Sequence, residues 1–202
     1  MGIPKRKLSS FQIILLGFAG VILLGAFLLT LPISSASHEW TSFTDALFTS
    51  TSAVCVTGLV VFDTATHWTI FGQGVILLLI QIGGMGVVTV AVSLAVISGK
   101  KIGLFSRETM KNAISAPHVS GIVRLTGFII KGTFLFELLG ALLMLPVFCS
   151  EYGAEGIWFA VFHSVSAFCN AGFDLMGTKS GEFSSLTHFS AQPVINLTIM
   201  LL

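Results

Sequence analysis

The sequence predicts an all-α, polytopic membrane protein built from tandem units of helix, pore helix, filter loop and helix, as in potassium-channel-like pores. Three observations carry that expectation. Of the 202 residues, 54% are hydrophobic and only 9% are charged, whereas a soluble domain carries about 25% charge. Apolar runs long enough to cross a bilayer lie at 11–33, 69–98 and 122–149. Between them sit two shorter apolar stretches, each stopping in small and polar residues around one glycine.

The two short stretches repeat one another. Ala46–Leu59 reads ALFTSTSAVCVTGL, and Ala160–Phe173 reads AVFHSVSAFCNAGF. At a constant shift of 114 positions, seven of the fourteen pairs are identical, Cys55/Cys169 and Gly58/Gly172 among them. The same shift carries Leu28, Leu29, Leu31 and Pro32 onto Leu142, Leu143, Leu145 and Pro146. One offset that holds across an apolar run, a loop and a second motif marks duplication of a whole structural unit.

Residues 1–10 form a basic leader with Lys5, Arg6 and Lys7. The run 11–33 holds no charge and makes about 35 Å of helix, enough to span. A signal peptide is the rival, because Ser34-Ser35-Ala36 resembles a cleavage site. The run is longer than a usual signal core, and its Pro32 matches Pro146, so a retained helix is expected. The stretch 43–54 makes roughly 18 Å of helix and cannot cross a core of about 30 Å. A short helix that enters a membrane and ends in irregular backbone is tolerated only where that backbone lines a water-filled path. Its carbonyl oxygens can then replace the water shell of a cation. Residues 55–59 are therefore a candidate filter.

The run 69–98 is long enough to span with tilt. Its Gly83-Gly84-Met85-Gly86 is poor in an isolated helix. Either Gly83, Gly84 and Gly86 admit a neighbouring helix, or they mark a bend that acts as a gate; packing is the favoured reading. Gln81 beside them is a polar group in need of a partner. Residues 99–121 form a cytoplasmic loop. Its Lys100, Lys101, Arg107 and Lys111 either meet anionic headgroups or a cytosolic partner, or simply set topology. In 122–149, Lys131 stands close enough to the boundary to snorkel. Glu137 is deeper, and six positions on a helix do not share a face, so each would pair with another segment. A second pore helix is expected at 156–168, a second filter at 169–173, an outer loop at 174–188 and a further helix from 189. That last segment is too short to span. The chain is therefore expected to be the N-terminal half of a longer protein.

The strings Val54-Cys55-Val56-Thr57-Gly58-Leu59 and Phe168-Cys169-Asn170-Ala171-Gly172-Phe173 resemble the filters of the Trk/Ktr/HKT family of potassium and sodium transporters. Ile80-Gln81-Ile82-Gly83-Gly84-Met85-Gly86 fits as well, and the resemblance covers nearly the whole chain in register. The chain looks more like the membrane subunit of Ktr than like Trk, since the first span starts almost at the N-terminus. The resemblance implies a pore of four units, each filter centred on one glycine. Val54, Cys55, Val56, Thr57 and Gly58 would then line a potassium path with Phe168, Cys169, Asn170, Ala171 and Gly172; sodium is the other candidate ion. It also implies as partners the remaining repeats of the same protein, a homodimer and a ring of cytosolic nucleotide-binding regulatory subunits. No cofactor beside the ion and no nucleic acid are expected. The alternative is a truncated, non-transporting scaffold or regulatory fragment, because two loops alone do not enclose a pore.

Charge distribution gives an orientation. Eight of ten Lys/Arg lie in the leader or between residues 100 and 124, which the positive-inside rule places in the cytoplasm. Seven of nine acids then fall outside: Glu39, Asp45, Asp63, Glu151, Glu155, Asp174 and Glu182. An acidic mouth concentrates cations, although isolated acids usually sit on solvated faces. Trp40, Trp68, Trp158 and Tyr152 fall on the same side, as an interfacial aromatic belt would. Enzyme chemistry is not expected. His163-Ser164 has no suitably placed acid, and Cys55, Cys149 and Cys169 lack metal-site spacing. These cysteines read as small buried packing residues. No Walker A string is present, so transport would be passive or ion-coupled.

Overall fold

Ser9 starts the first long helix. Its hydroxyl accepts from the Gln12 N–H while the Gln12 side chain accepts from the Ser9 N–H, a reciprocal cap that satisfies two end groups at once. The computed structural model describes residues 9–87, 89–90, 104–113 and 121–202. Helix α1 runs Ser10–Thr30 and stops at Leu31, whose extended backbone suits the residue before Pro32. It is followed by α2 (Phe43–Val54), α3 (Thr64–His67) and α4 (Ile70–Met85). A bridge between Ser35 and Trp68, with Thr69 N–H on the Ser34 carbonyl at 2.9 Å, ties the end of α1 to the start of α4.

The long run expected at 69–98 is not one straight helix. Gly86 takes φ +83° and ends α4. Val87 is helical again, and 91–98 lie outside the described residues. The expected loop at 99–121 contains a helix, α5 (Leu104–Ala113). Met110 is buried, and the Thr109 hydroxyl donates to Ser10 at 3.3 Å; α5 packs beside α1 and α6. Lys100, Lys101 and the leader's Lys5, Arg6 and Lys7 fall outside the described residues.

Helix α6 spans Ile122–Tyr152. It passes through Pro146, so the same proline that follows α1 lies inside α6. Proline removes one backbone bond, a loss that membrane helices tolerate when neighbours compensate. The remaining elements are α7 (Glu155–Phe168), α8 (Gly177–Ser180), a 3₁₀ turn (Ser185–Phe189) and α9 (Pro193–Leu201). The last helix begins at Pro193 rather than at 189, because the 3₁₀ turn occupies the segment before it. Pro193 suits a first helical turn, where its missing N–H has no partner to lose.

Among the described residues the chain is helical without a strand. Two helices, Ser10–Thr30 and residues 123–152, are long and apolar enough to cross a membrane; Ile70–Met85 is a shorter apolar helix. In the first half α2 packs on α1 and α4; in the second, α7 packs on α6 and α9; α4 against α7 joins them. Trp68, Ile76, Ile80, Phe148, Phe162 and Phe189 are fully buried in the core that both halves share. Trp68 is thus a core residue rather than part of a surface belt. Its carbonyl accepts from Gln73, which in turn accepts from the Trp158 indole at 2.8 Å. Of the three tryptophans, Trp40 alone stands exposed. Conversely, Phe11 and Phe128 are each 75% exposed on the outer faces of α1 and α6. Apolar surface on that scale needs a non-aqueous cover.

Candidate functional site: two glycine-centred loops

Helices α2 and α7 end in the same way. Cys55 is right-handed and Val56 turns left-handed, at φ +56°. The Val56 N–H donates to Ala53 at 3.3 Å and the Thr57 N–H to Ser52 at 2.9 Å. In the second half, the Asn170 N–H donates to Ala167 at 2.8 Å and the Ala171 N–H to Ser166 at 2.7 Å, with Asn170 at φ +54°. Each pair closes the two bonds that satisfy a helix's last carbonyls. Asn tolerates this conformation; a β-branched Val is strained in it. Two residues on, the chain turns left-handed again, Gly58 at φ +72° and Gly172 at φ +74°.

With the helix ends satisfied internally, the next oxygens are left over. The carbonyls of 55–58 and of 169–172 accept no hydrogen bond among the described residues. Side chains brace the loops instead: Thr57 donates to the Ser52 hydroxyl at 2.9 Å, and Ser166 to the Phe173 carbonyl at 2.6 Å. The loops touch at their glycines. A Cβ on Gly58 would stand 2.6 Å from the Ala171 carbonyl oxygen and 3.3 Å from the Gly172 Cα. Such a group of uncharged oxygens is chemically suited to a hard monovalent cation, whose water it can replace. Of the residues expected here, Cys55 is exposed, which corrects its reading as buried packing. Val54 and Ala171 are buried, and Gly172 is exposed.

The glycines expected near the first loop divide into two roles. A Cβ on Gly83 would collide with the Val54 carbonyl, and one on Gly84 would lie 2.5 Å from the Cys169 sulfur. These two therefore admit the ends of both short helices, while Gly86 makes the bend. Gly25 and Gly140, unflagged in the sequence, do a similar job against the long helices. A Cβ there would meet the Ser50 hydroxyl at 2.5 Å and the Ser164 hydroxyl at 2.6 Å. Ser50 donates to the Ile22 carbonyl at 2.8 Å and Ser164 to the Glu137 carbonyl at 2.5 Å. Small residues that let backbones approach are the common device of membrane helix packing.

The two polar groups in the apolar interior find each other. Gln81 on α4 donates to Glu137 on α6 at 2.7 Å, and both are buried. Lys131 is exposed and forms no ion pair among the described residues. We expect Glu137→Ala to strand the Gln81 amide and cost about 1 kcal/mol. Glu137→Gln, which keeps an acceptor, should stay near wild type. Melting of the full-length protein in detergent checks this; an unshifted midpoint in the alanine variant would show that the pair contributes nothing.

The acids expected outside are mostly engaged. Asp63 is only 5% exposed and accepts from the Ala65 and Thr66 N–H groups at 3.0 Å each and from the Phe183 N–H at 2.9 Å. Glu155 pairs with Lys179 at 2.8 Å and Glu151 with His188 at 2.8 Å. Asp174 caps the Met176 N–H and lines a cavity of about 170 Å³ with His163, Ser166 and Asn170. Within it the His163 Nδ1–H donates to Phe159, so Nε2 accepts from the Leu175 N–H. Nearby, burial holds His67 below the ordinary histidine range, Asp45 opposing the shift. The ring is stacked on Phe62 at 4.0 Å.

Comparison with known proteins follows this geometry. Residues 3–202 match the family model of TrkH, cation transport protein. The potassium/sodium uptake protein NtpJ of Enterococcus hirae is 47% identical over 174 residues, which is 86% of this chain and 39% of that protein. The Ktr system potassium uptake proteins B of Bacillus subtilis and Vibrio alginolyticus are 41% and 38% identical, over 95% and 96% of this chain and 41% of each relative. The chain thus spans about two fifths of the length of these relatives. These are transporters, not enzymes, and a membrane location follows from them and from the apolar helices. The chain belongs to the TrkH family of cation transport proteins.

Proposed function

We propose that this chain supplies two filter loops of a potassium-uptake pathway in the cell membrane, passive or sodium-coupled. One observation carries the reading. Two loops, related by the 114-residue repeat, meet at Gly58 and Gly172, and the carbonyls of 55–58 and 169–172 accept no hydrogen bond among the described residues. In this reading 11–98 and 122–202 are tandem pore units, with α2 and α7 as pore helices. Two loops give only part of a ring of oxygens around an ion. The remaining repeats of the same protein complete it, and a homodimer with a cytosolic nucleotide-binding regulatory subunit is the proposed assembly. The names of two relatives, each protein B of a Ktr system, are in keeping with a system of more than one component. Sodium remains the other ion, as the NtpJ name includes both. Rubidium uptake by cells that lack their own potassium uptake and express the full-length protein tests the reading. Uptake above the empty-vector level is expected; its absence in cells that make the protein would overturn it.

The same reading places the N-terminus and Lys111 in the cytoplasm and Glu39 and Lys179 outside, from the bias of Lys and Arg. In a variant lacking Cys55, Cys149 and Cys169, Lys179→Cys should react with an impermeant maleimide on intact cells. Lys111→Cys should react only after the membrane is opened. Labelling at 111 from outside would reverse the orientation.

A further inference from the structure

Helix α6 has two opposite faces. Thr126, Thr133, Glu137, Met144 and Phe148 are buried. Arg124, Phe128, Lys131, Leu135, Leu138 and Leu142 follow one another at alternating steps of four and three, and all are exposed. Arg124 lies two positions before Thr126, about 200° round the helix. This second stripe therefore points away from the rest of the chain.

Its charge is one-sided. Arg124 and Lys131 stand one heptad apart, no acid shares their stripe, and neither has an ion pair among the described residues. Helical side chains lean toward the N-terminus, so Lys131 leans toward Arg124. The 31 residues of α6 make about 46 Å of helix, roughly 16 Å more than the hydrocarbon core. With Glu151 and Tyr152 at the far interface, that excess falls at the Arg124 end. Lys131 then stands at the edge of the hydrocarbon core and Arg124 about 10 Å further out, so that the headgroup layer lies between the two and within snorkelling reach. Leu135, Leu138 and Leu142 continue the stripe at acyl-chain depth.

We propose that this stripe binds an anionic phospholipid, its phosphate held between Arg124 and Lys131 and an acyl chain lying along Leu135, Leu138 and Leu142. Another protein surface is the rival occupant. It would bury two cations that have no counter-charge on this helix, an arrangement that is strongly unfavourable; an anionic headgroup brings the counter-charge with it. The inference needs the chain to lie in a bilayer but does not depend on the filter loops or on ion transport.

A local probe tests it. Leu135→Trp in the full-length protein, reconstituted in phosphatidylcholine, is titrated with brominated phosphatidylglycerol or brominated phosphatidylcholine, and quenching is compared with the unsubstituted protein. Brominated phosphatidylglycerol should quench Trp at 135 at a lower mole fraction than the neutral lipid. Adding Arg124→Gln and Lys131→Gln should reduce that preference by about five-fold for each cation lost. Exchanging the two for Lys and Arg should retain it, which a misfolded variant would not. Equal quenching by both lipids, no quenching by either, or an undiminished preference in the double Gln variant would overturn the proposal.

Discussion

Gly58→Ala in the full-length protein is expected to leave membrane expression near normal while weakening potassium transport, or its preference over sodium, by about ten-fold. Two costs combine at this position. A left-handed backbone disfavours any Cβ by roughly 1–2 kcal/mol, and Gly58 sits at φ +72°. The Cβ would also stand 2.6 Å from the Ala171 carbonyl oxygen, closer than van der Waals contact permits. That oxygen belongs to the set proposed to face the ion, so relief of the clash moves a filter atom. A differential loss of about 1.4 kcal/mol corresponds to ten-fold. Gly172→Ala incurs the first cost but not the second, because its nearest neighbour would be the Gly58 Cα at 3.5 Å. The defect should therefore be larger at 58 than at 172. Rubidium uptake in competition with potassium and sodium measures both. Unchanged transport and ion preference in both variants would remove the filter assignment. A parallel fall in yield and transport at constant preference would reduce the glycines to packing.

The asymmetry between the two glycines cannot be read from the sequence, although the pair can. Gly58 and Gly172 are visible because a 114-residue shift aligns them and because glycine is the residue that left-handed turns select. The earlier turn in each loop is masked. Its position normally selects glycine or asparagine, and Asn170 fits, but the partner is Val56, which points toward strand rather than a helix stop. Gln81 and Glu137 are each legible as buried polar groups that need a partner. Their pairing is not, because 56 residues separate them and nothing local sets the angle between α4 and α6. Gly25 and Gly140 escape for a different reason. They face equivalent serines 114 apart, yet they are themselves 115 apart, as are the bonded carbonyls of Ile22 and Glu137. A single-residue slip between long and short helices hides them from a constant-offset comparison. The slip also goes with the different fates of Pro32 and Pro146, one beyond its helix and one inside it.

Asp63 is the residue that the sequence places least well, and its removal should destabilise the fold more than removal of any other acid expected on its side. As one acid among seven on that side it reads as solvated charge, although Asp before Thr64-Ala65-Thr66 is also a helix-start signal. In the fold it is buried, and it holds three backbone N–H groups. Two belong to α3, just after the first loop; the third belongs to Phe183, beyond the second. One carboxylate therefore ties the two halves together beyond both loops. Asp63→Ala takes the acceptor from all three donors, and a buried unmet donor costs about 1–3 kcal/mol. With partial relaxation the expected loss is about 3 kcal/mol. Asp63→Asn separates the two functions. An amide oxygen can still accept from Ala65 and Thr66, but its NH₂ would meet the Phe183 N–H donor to donor. The Asp63→Asn variant should therefore keep α3 and lose the tie, at an intermediate cost of about 1–2 kcal/mol. Proteolysis within residues 178–188 of the full-length protein reads the tie, and thermal melting reads the total. If the tie matters, Asp63→Asn and Asp63→Ala should be cleaved there equally fast while differing in melting temperature. An Asp63→Asn variant as resistant to cleavage as wild type would mean that the bond to Phe183 holds nothing in place.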